Sequence, residues 1–215
     1  MKKTSIPRVP AMCMALIVIL TIFASATMTW YATVNNEDWV AYIPSTFSRY
    51  SYKNLGQTSS TNTTIQDYLY DAVVDWRTGV GISLTANSSN TSSSNAFVLY
   101  AGSLDELQNY TLEVDANTPG YTDFGSNYTL VDRMTIDGIE RSIAEFTGTV
   151  RVFVSTDESQ SKWRRLVNHE IGHAFGYVGH SANSGDLMNA SVNSSVNTPQ
   201  TNDIAHLSQF YDIYR

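Results

Sequence analysis

The chain has 215 residues, 42% of them hydrophobic, which is enough for one domain with its own core plus a short appendage. A formal net charge of −7 speaks against a nucleic-acid partner, which would call for a basic face. The single cysteine, Cys13, leaves everything beyond it without a disulfide or a thiolate zinc site.

Lys2, Lys3 and Arg8 precede an uncharged apolar run from Ala11 to Ala26, and no charge returns until Glu37. A basic flank, an apolar stretch and the small-residue site Ala24-Ser25-Ala26 read as a secretory signal. Extended to Ala32, with Trp30 and Tyr31 at the far interface, the same run is long enough to be a single N-terminal membrane anchor. Either reading places the rest of the chain outside the cytoplasm, secreted or at the cell surface. The expected division is 1–32 for the signal or anchor and 33–215 for the domain. Seven N-x-Ser/Thr acceptors, starting at Asn62, Asn87, Asn90, Asn109, Asn127, Asn189 and Asn193, agree with export.

Trp39 to Ile43 is a short β-forming run closed by Pro44 and reads as a first strand. Ser45 to Thr63 is polar and is expected to be loop. Ile65, Tyr68, Leu69, Ala72, Val73 and Trp76 then form an apolar stripe at helical spacing, with Thr64 as the expected cap, Asp67 three residues on and Gly79 as the stop. Val80 to Leu84 is a second strand candidate, Thr85 to Asn95 a Ser/Asn/Thr-rich surface loop, and Ala96 to Tyr100 a buried strand. Between Ser103 and Arg141 only turns at Pro119-Gly120 and Asp137-Gly138 can be placed. Thr149 to Ser155 alternates and is β-branched, hence a strand. No internal repeat is found.

Residues 169–180 read HEIGHAFGYVGH. On a helix, His169 and His173 are four apart, so both imidazoles leave one face and can grip one metal, with Glu170 beside them near a metal-bound water. Ser161 is a candidate cap for this helix, and Trp163, Leu166, Val167, Ile171 and Ala174 supply its apolar side. Gly176 falls where the helix must break into a left-handed turn so that a third ligand, His180, can swing back. Ser184 to Met188 then offers a turn ending in methionine.

This pattern resembles that of the metzincin zinc peptidases, and within them the matrixin-like group. His169, Glu170, His173 and Gly176 match the family motif position for position. His180 to Met188 (HSANSGDLM) has the matrixin spacing from third ligand to turn methionine, and Thr201 to Tyr211 (TNDIAHLSQFY) looks like the closing helix. Upstream the elements agree only in order. The resemblance implies an α/β fold with a twisted, mostly parallel sheet, one antiparallel edge strand and three main helices. It implies Zn(2+) held by His169, His173 and His180, with Glu170 as the catalytic base of an endopeptidase. It further implies a polypeptide substrate bound in extended form beside the edge strand, and Met188 as a hydrophobic floor under the histidines.

One departure stands out. Three residues, Tyr177, Val178 and Gly179, separate Gly176 from His180, where the family has two. Either Gly179 absorbs the extra residue, or a fallback carboxylate, Asp186 or Asp203, is the third ligand. No glutamate follows Glu170, which removes the plan with a distal glutamate ligand. His206 reads as a helix residue packed near the surface. No cysteine lies between the apolar run and the zinc helix, so a cysteine switch has no residue to use, and no recognisable structural-zinc or calcium loop is present. Two rivals remain: a non-catalytic surface glycoprotein with a structural zinc, against which Glu170 argues, and a zinc hydrolase of a non-protein amide.

Overall fold

The computed structural model describes residues 28–34, 39–191 and 195–215. The apolar run with Cys13 lies outside the described residues, and among these no helix is long and apolar enough to cross a membrane.

The chain is a mixed α/β structure. Its larger sheet takes β3 (Arg49–Leu55), β4 (Thr85–Asn87), β5 (Asn95–Gly102), β6 (Gly120–Asp123) and β9 (Val150–Ser155) in the order β4-β3-β5-β9-β6. All neighbours are parallel except β6, which runs antiparallel to β9 at the edge. β5 and β9 are almost wholly buried, and their continuous apolar runs are what a sheet covered on both faces requires. A second, three-stranded sheet was not foreseen. It takes β2 (Trp39–Tyr42), β7 (Tyr128–Ile136) and β8 (Ile139–Phe146) in the order β2-β8-β7. Its β7–β8 hairpin closes through Asp137 and Gly138, at φ 53° and 78°, the paired positive values that suit a tight hairpin turn. A two-stranded pair joins β1 (Ala32–Val34) to β10 (His180–Ser181).

The long helices are α1 (Ser59–Gly79), α3 (Gln160–Ala174) and α4 (Thr201–Tyr214); α2 (Leu104–Leu107) is a single capped turn. α1 buries Ile65, Leu69, Ala72, Val73 and Trp76. At about 1.5–3 kcal/mol for each large side chain, that stripe outweighs the weak helix propensity of the Ser- and Thr-rich first turns.

Several boundaries differ from the sequence reading. The expected loop 45–63 contains β3 and the start of α1. Its polar residues are satisfied inside the fold: buried Ser51 accepts from Asn95 Nδ2 at 3.1 Å. The cap of α1 is Thr58, not Thr64, whose hydroxyl instead donates back to the Ser60 carbonyl at 3.0 Å. Val80 to Leu84 is a turn, with Gly81 at φ 73°; both end residues are buried as anchors, and the strand begins only at Thr85. Gly120 opens β6 instead of completing a turn. Ser159, not Ser161, stands at the cap position of α3.

Candidate metal centre

α3 holds its histidine-bearing turns deep in the molecule. Trp76 of α1 donates its indole N–H to the Asn168 carbonyl at 3.0 Å, and every residue from Arg165 to Ala174 is buried. His169, Glu170 and His173 therefore sit in a water-poor seam. The helix ends at Phe175, and Gly176, at φ 102°, reverses the chain. A Cβ at Gly176 would overlap the Ala41 carbonyl, while the Ala41 amide donates to the Gly176 carbonyl at 3.1 Å. Only glycine satisfies both the angle and the space. Gly179, at φ 78°, supplies a second left-handed position and delivers His180 back over the helix.

The three imidazoles converge. Their centroids are 4.9 Å (His169–His173), 5.2 Å (His169–His180) and 5.0 Å (His173–His180) apart. One nitrogen from each lies within 4.8 Å of the other two. His169 Nδ1 donates to the Leu187 carbonyl at 2.9 Å, and His173 Nδ1 to the Tyr177 carbonyl at 2.6 Å. A carbonyl can only accept, so both Nε2 atoms carry a lone pair. Burial lowers the pKa of all three rings. For His169, pushed well down, repulsion from His173 and His180 adds to burial, and for His173, at about 3, repulsion from His180 does. Neutral imidazoles, two of them with fixed tautomers, fit a divalent metal, and a nitrogen-only donor set suits zinc.

Glu170 is buried beside them. Burial pushes its pKa up to about 8, against the Thr122 hydroxyl, which lies 2.8 Å from Oε2 and lowers it. That hydroxyl is also 3.0 Å from the Glu170 carbonyl, and its single proton serves one acceptor at a time. A cavity of about 230 Å³ lies between β6 and α3, bordered by Thr118, Gly120, Leu166, His169, Glu170 and His180. A side chain at Gly120 would meet Leu166 at 2.6 Å and Glu170 Oε1 at 2.7 Å, so glycine sets how closely the edge strand approaches the helix.

Below the histidines, Met188 is fully buried. A Cβ at Gly172 would meet both Met188 Sδ and Trp76 at 2.5 Å, so this glycine seats the methionine directly on α3. Asp203 on α4 holds the methionine turn, accepting from the Leu187 amide at 2.8 Å, the Met188 amide at 3.2 Å and the Gln200 amide at 2.8 Å. Asp186 accepts from the Ser181 hydroxyl at 2.7 Å and from Asn183 Nδ2 at 3.0 Å. Neither aspartate joins the histidine cluster among the described residues; both brace the turn. His206 is not near the surface but fully buried, 4.6 Å from Trp30 and 4.4 Å from Tyr177 between ring centroids.

Sequence reasoning missed Thr122, Gly120 and the bracing role of Asp203. The four residues of β6, GYTD, carry almost no strand signal, and Pro119-Gly120 had the look of a turn. In sequence Asp203 reads only as a fallback ligand, not as a brace for the turn.

No family model and no curated protein matches the chain. Among solved structures it is similar to that of myroilysin, at 12% identity and a TM-score of 0.37, over 76% of this chain and 92% of that one. At that level of similarity, function has to be read from the chain's own residues.

Proposed function

We propose that this protein is a zinc-dependent endopeptidase of the metzincin type, matrixin-like in its ligand segment, with His169, His173 and His180 as zinc ligands and Glu170 as general base. The observation that carries the reading is the meeting of three neutral imidazoles and one buried carboxylate at a single cavity. A structural zinc site has no use for that carboxylate.

A zinc ion bound there supplies a Lewis acid that acidifies water to a pKa near ~7 and polarises a carbonyl. The chain's own residues do the rest. Glu170 takes a proton from the attacking water and returns one to the leaving amine. Thr122 fixes the carboxylate against β6. Among the described residues β6 pairs only with β9, which leaves its outer edge to add an extended polypeptide beside the cavity. His169 and His173 are held by backbone carbonyls and keep their tautomers throughout. The domain works outside the cytoplasm, and the N-terminal apolar segment serves as a cleaved signal or a single anchor.

Glu170→Gln is the direct test. Turnover of a denatured proteome should fall by at least ~10²-fold while about one zinc per chain is retained. Full peptidase activity in the variant would reject the mechanism, and cleavage confined to non-protein amides would reject the substrate class.

A further inference from the structure

Residues 29–34 lie beside an export signal in sequence, yet they are bound into the site. Val34 and Ala32 pair with His180 and Ser181, so the strand that carries the third ligand has this segment as its antiparallel partner. Ahead of it, Trp30 is buried in the main core, edge-on to His206 at 4.6 Å and under the Arg141 guanidinium at 4.5 Å. His206 in turn packs on Tyr177 at 4.4 Å, and the Tyr177 carbonyl accepts from His173 Nδ1. Thr29 exchanges two hydrogen bonds with Gln209 of α4, at 3.2 and 2.9 Å, and the Trp30 amide donates to Asp137 at 2.8 Å.

The segment thus grips the loop 177–180 from both ends. One contact reaches the ligand His180 through the backbone. The other reaches the partner of His173 through an edge-on and a tilted ring contact. This is also the loop that carries the extra residue and two positive-φ glycines, Gly176 and Gly179, at its borders. Such a loop has more freedom to lose than a shorter one and profits most from an external partner.

We infer that residues 29–34 are a clamp that positions the metal-ligand loop, with Trp30 as its anchor. The inference rests on the three-histidine reading for its link to metal. The expected domain division after residue 32 runs through the clamp, and any processing that leaves the site intact must fall before Thr29.

The test uses Trp30→Ala, Trp30→Phe and Gln209→Ala in the full chain, with Leu107→Ala as a control in a hydrophobic cluster separate from that of Trp30. Leu107 is fully buried in a separate small cluster with Val114 and Phe153. Zinc affinity is measured by chelator competition, and amide hydrogen exchange is followed over residues 177–183 without metal. Trp30→Ala should weaken zinc by about 10-fold or more, the loss typical of an outer-shell partner, and should speed exchange at 177–183. Trp30→Phe should restore most of both, Gln209→Ala should show the same change in milder form, and Leu107→Ala should show neither. Unchanged exchange in Trp30→Ala and Gln209→Ala overturns the clamp. If the wild type holds no zinc, the metal reading fails, and the exchange arm still decides the clamp.

Discussion

Gly176→Ala is the sharpest probe of how the backbone delivers the third histidine. Two separate costs meet at this position. At φ 102° an L side chain is strained, by about 1–3 kcal/mol for a residue outside its allowed regions. The new Cβ would also overlap the Ala41 carbonyl, so the turn must move away and weaken the bond from the Ala41 amide, a loss of roughly 0.5–1.5 kcal/mol. A total of about 1.5–4.5 kcal/mol follows, or roughly 3–18 °C in Tm for a domain of this size. Gly138 separates the two costs. It has φ 78° but nothing within 4 Å of an added Cβ, so Gly138→Ala carries the backbone strain alone. Thermal unfolding of both variants, with chelator competition for zinc, gives the comparison. Gly176→Ala should be the less stable of the two and should also lose zinc affinity, because its displacement carries the Tyr177 carbonyl away from His173. Equal destabilisation by both substitutions, with zinc retained in both, would refute the reasoning.

Other consequences are more local. His180→Ala should weaken zinc by more than the ~10–100-fold typical of an outer-shell change, whereas Asp186→Ala should leave His180 as ligand, as titration of each variant will show. Asp203→Asn keeps acceptors for only part of its three amide donors and should cost about 1–3 kcal/mol in denaturant unfolding, with loosened zinc because Leu187 also holds His169. Thr122→Val should lower kcat with zinc content unchanged, and Thr122→Ser should recover it; zinc loss in the Val variant would contradict the assignment of Thr122 to the carboxylate alone.

The convergence of the three histidines was legible because its pattern is local. The i, i+4 spacing of His169 and His173 is a property of any helix, and Gly176 announces the break that follows. The apolar stripe of α1 and the runs of β5 and β9 were visible for the same reason: short-range periodicity reports burial directly. The second sheet was not visible. β7 reads YTLVDRMTI, exposed along nearly its whole length, and takes its strand from pairing with β8, not from an apolar face. β3 was hidden because its buried Ser51 is satisfied by Asn95, a partner 44 residues away. The same limit applies at the site, where Thr122 and Glu170 meet across 48 residues and Trp30 meets His206 across the whole domain.

These long-range contacts divide the site into two halves with different supports. In the proposed site the metal half is fixed from below and behind: the Leu187 and Tyr177 carbonyls orient two rings, Asp203 accepts from the Leu187 amide, and Arg165 ties the following loop through the Asn189, Ser191 and Val196 carbonyls at 2.8–2.9 Å. The proton half is fixed from the side, where Thr122 and the close approach at Gly120 set Glu170 against the edge strand. α3 is the one element common to both. In the proposed reaction a peptide added along β6 would lie beside the cavity that Glu170, His169 and His180 border. Catalysis in the proposed reaction then depends on the distance between β6 and α3. That distance is set by a glycine and a threonine, neither of which belongs to the ligand motif.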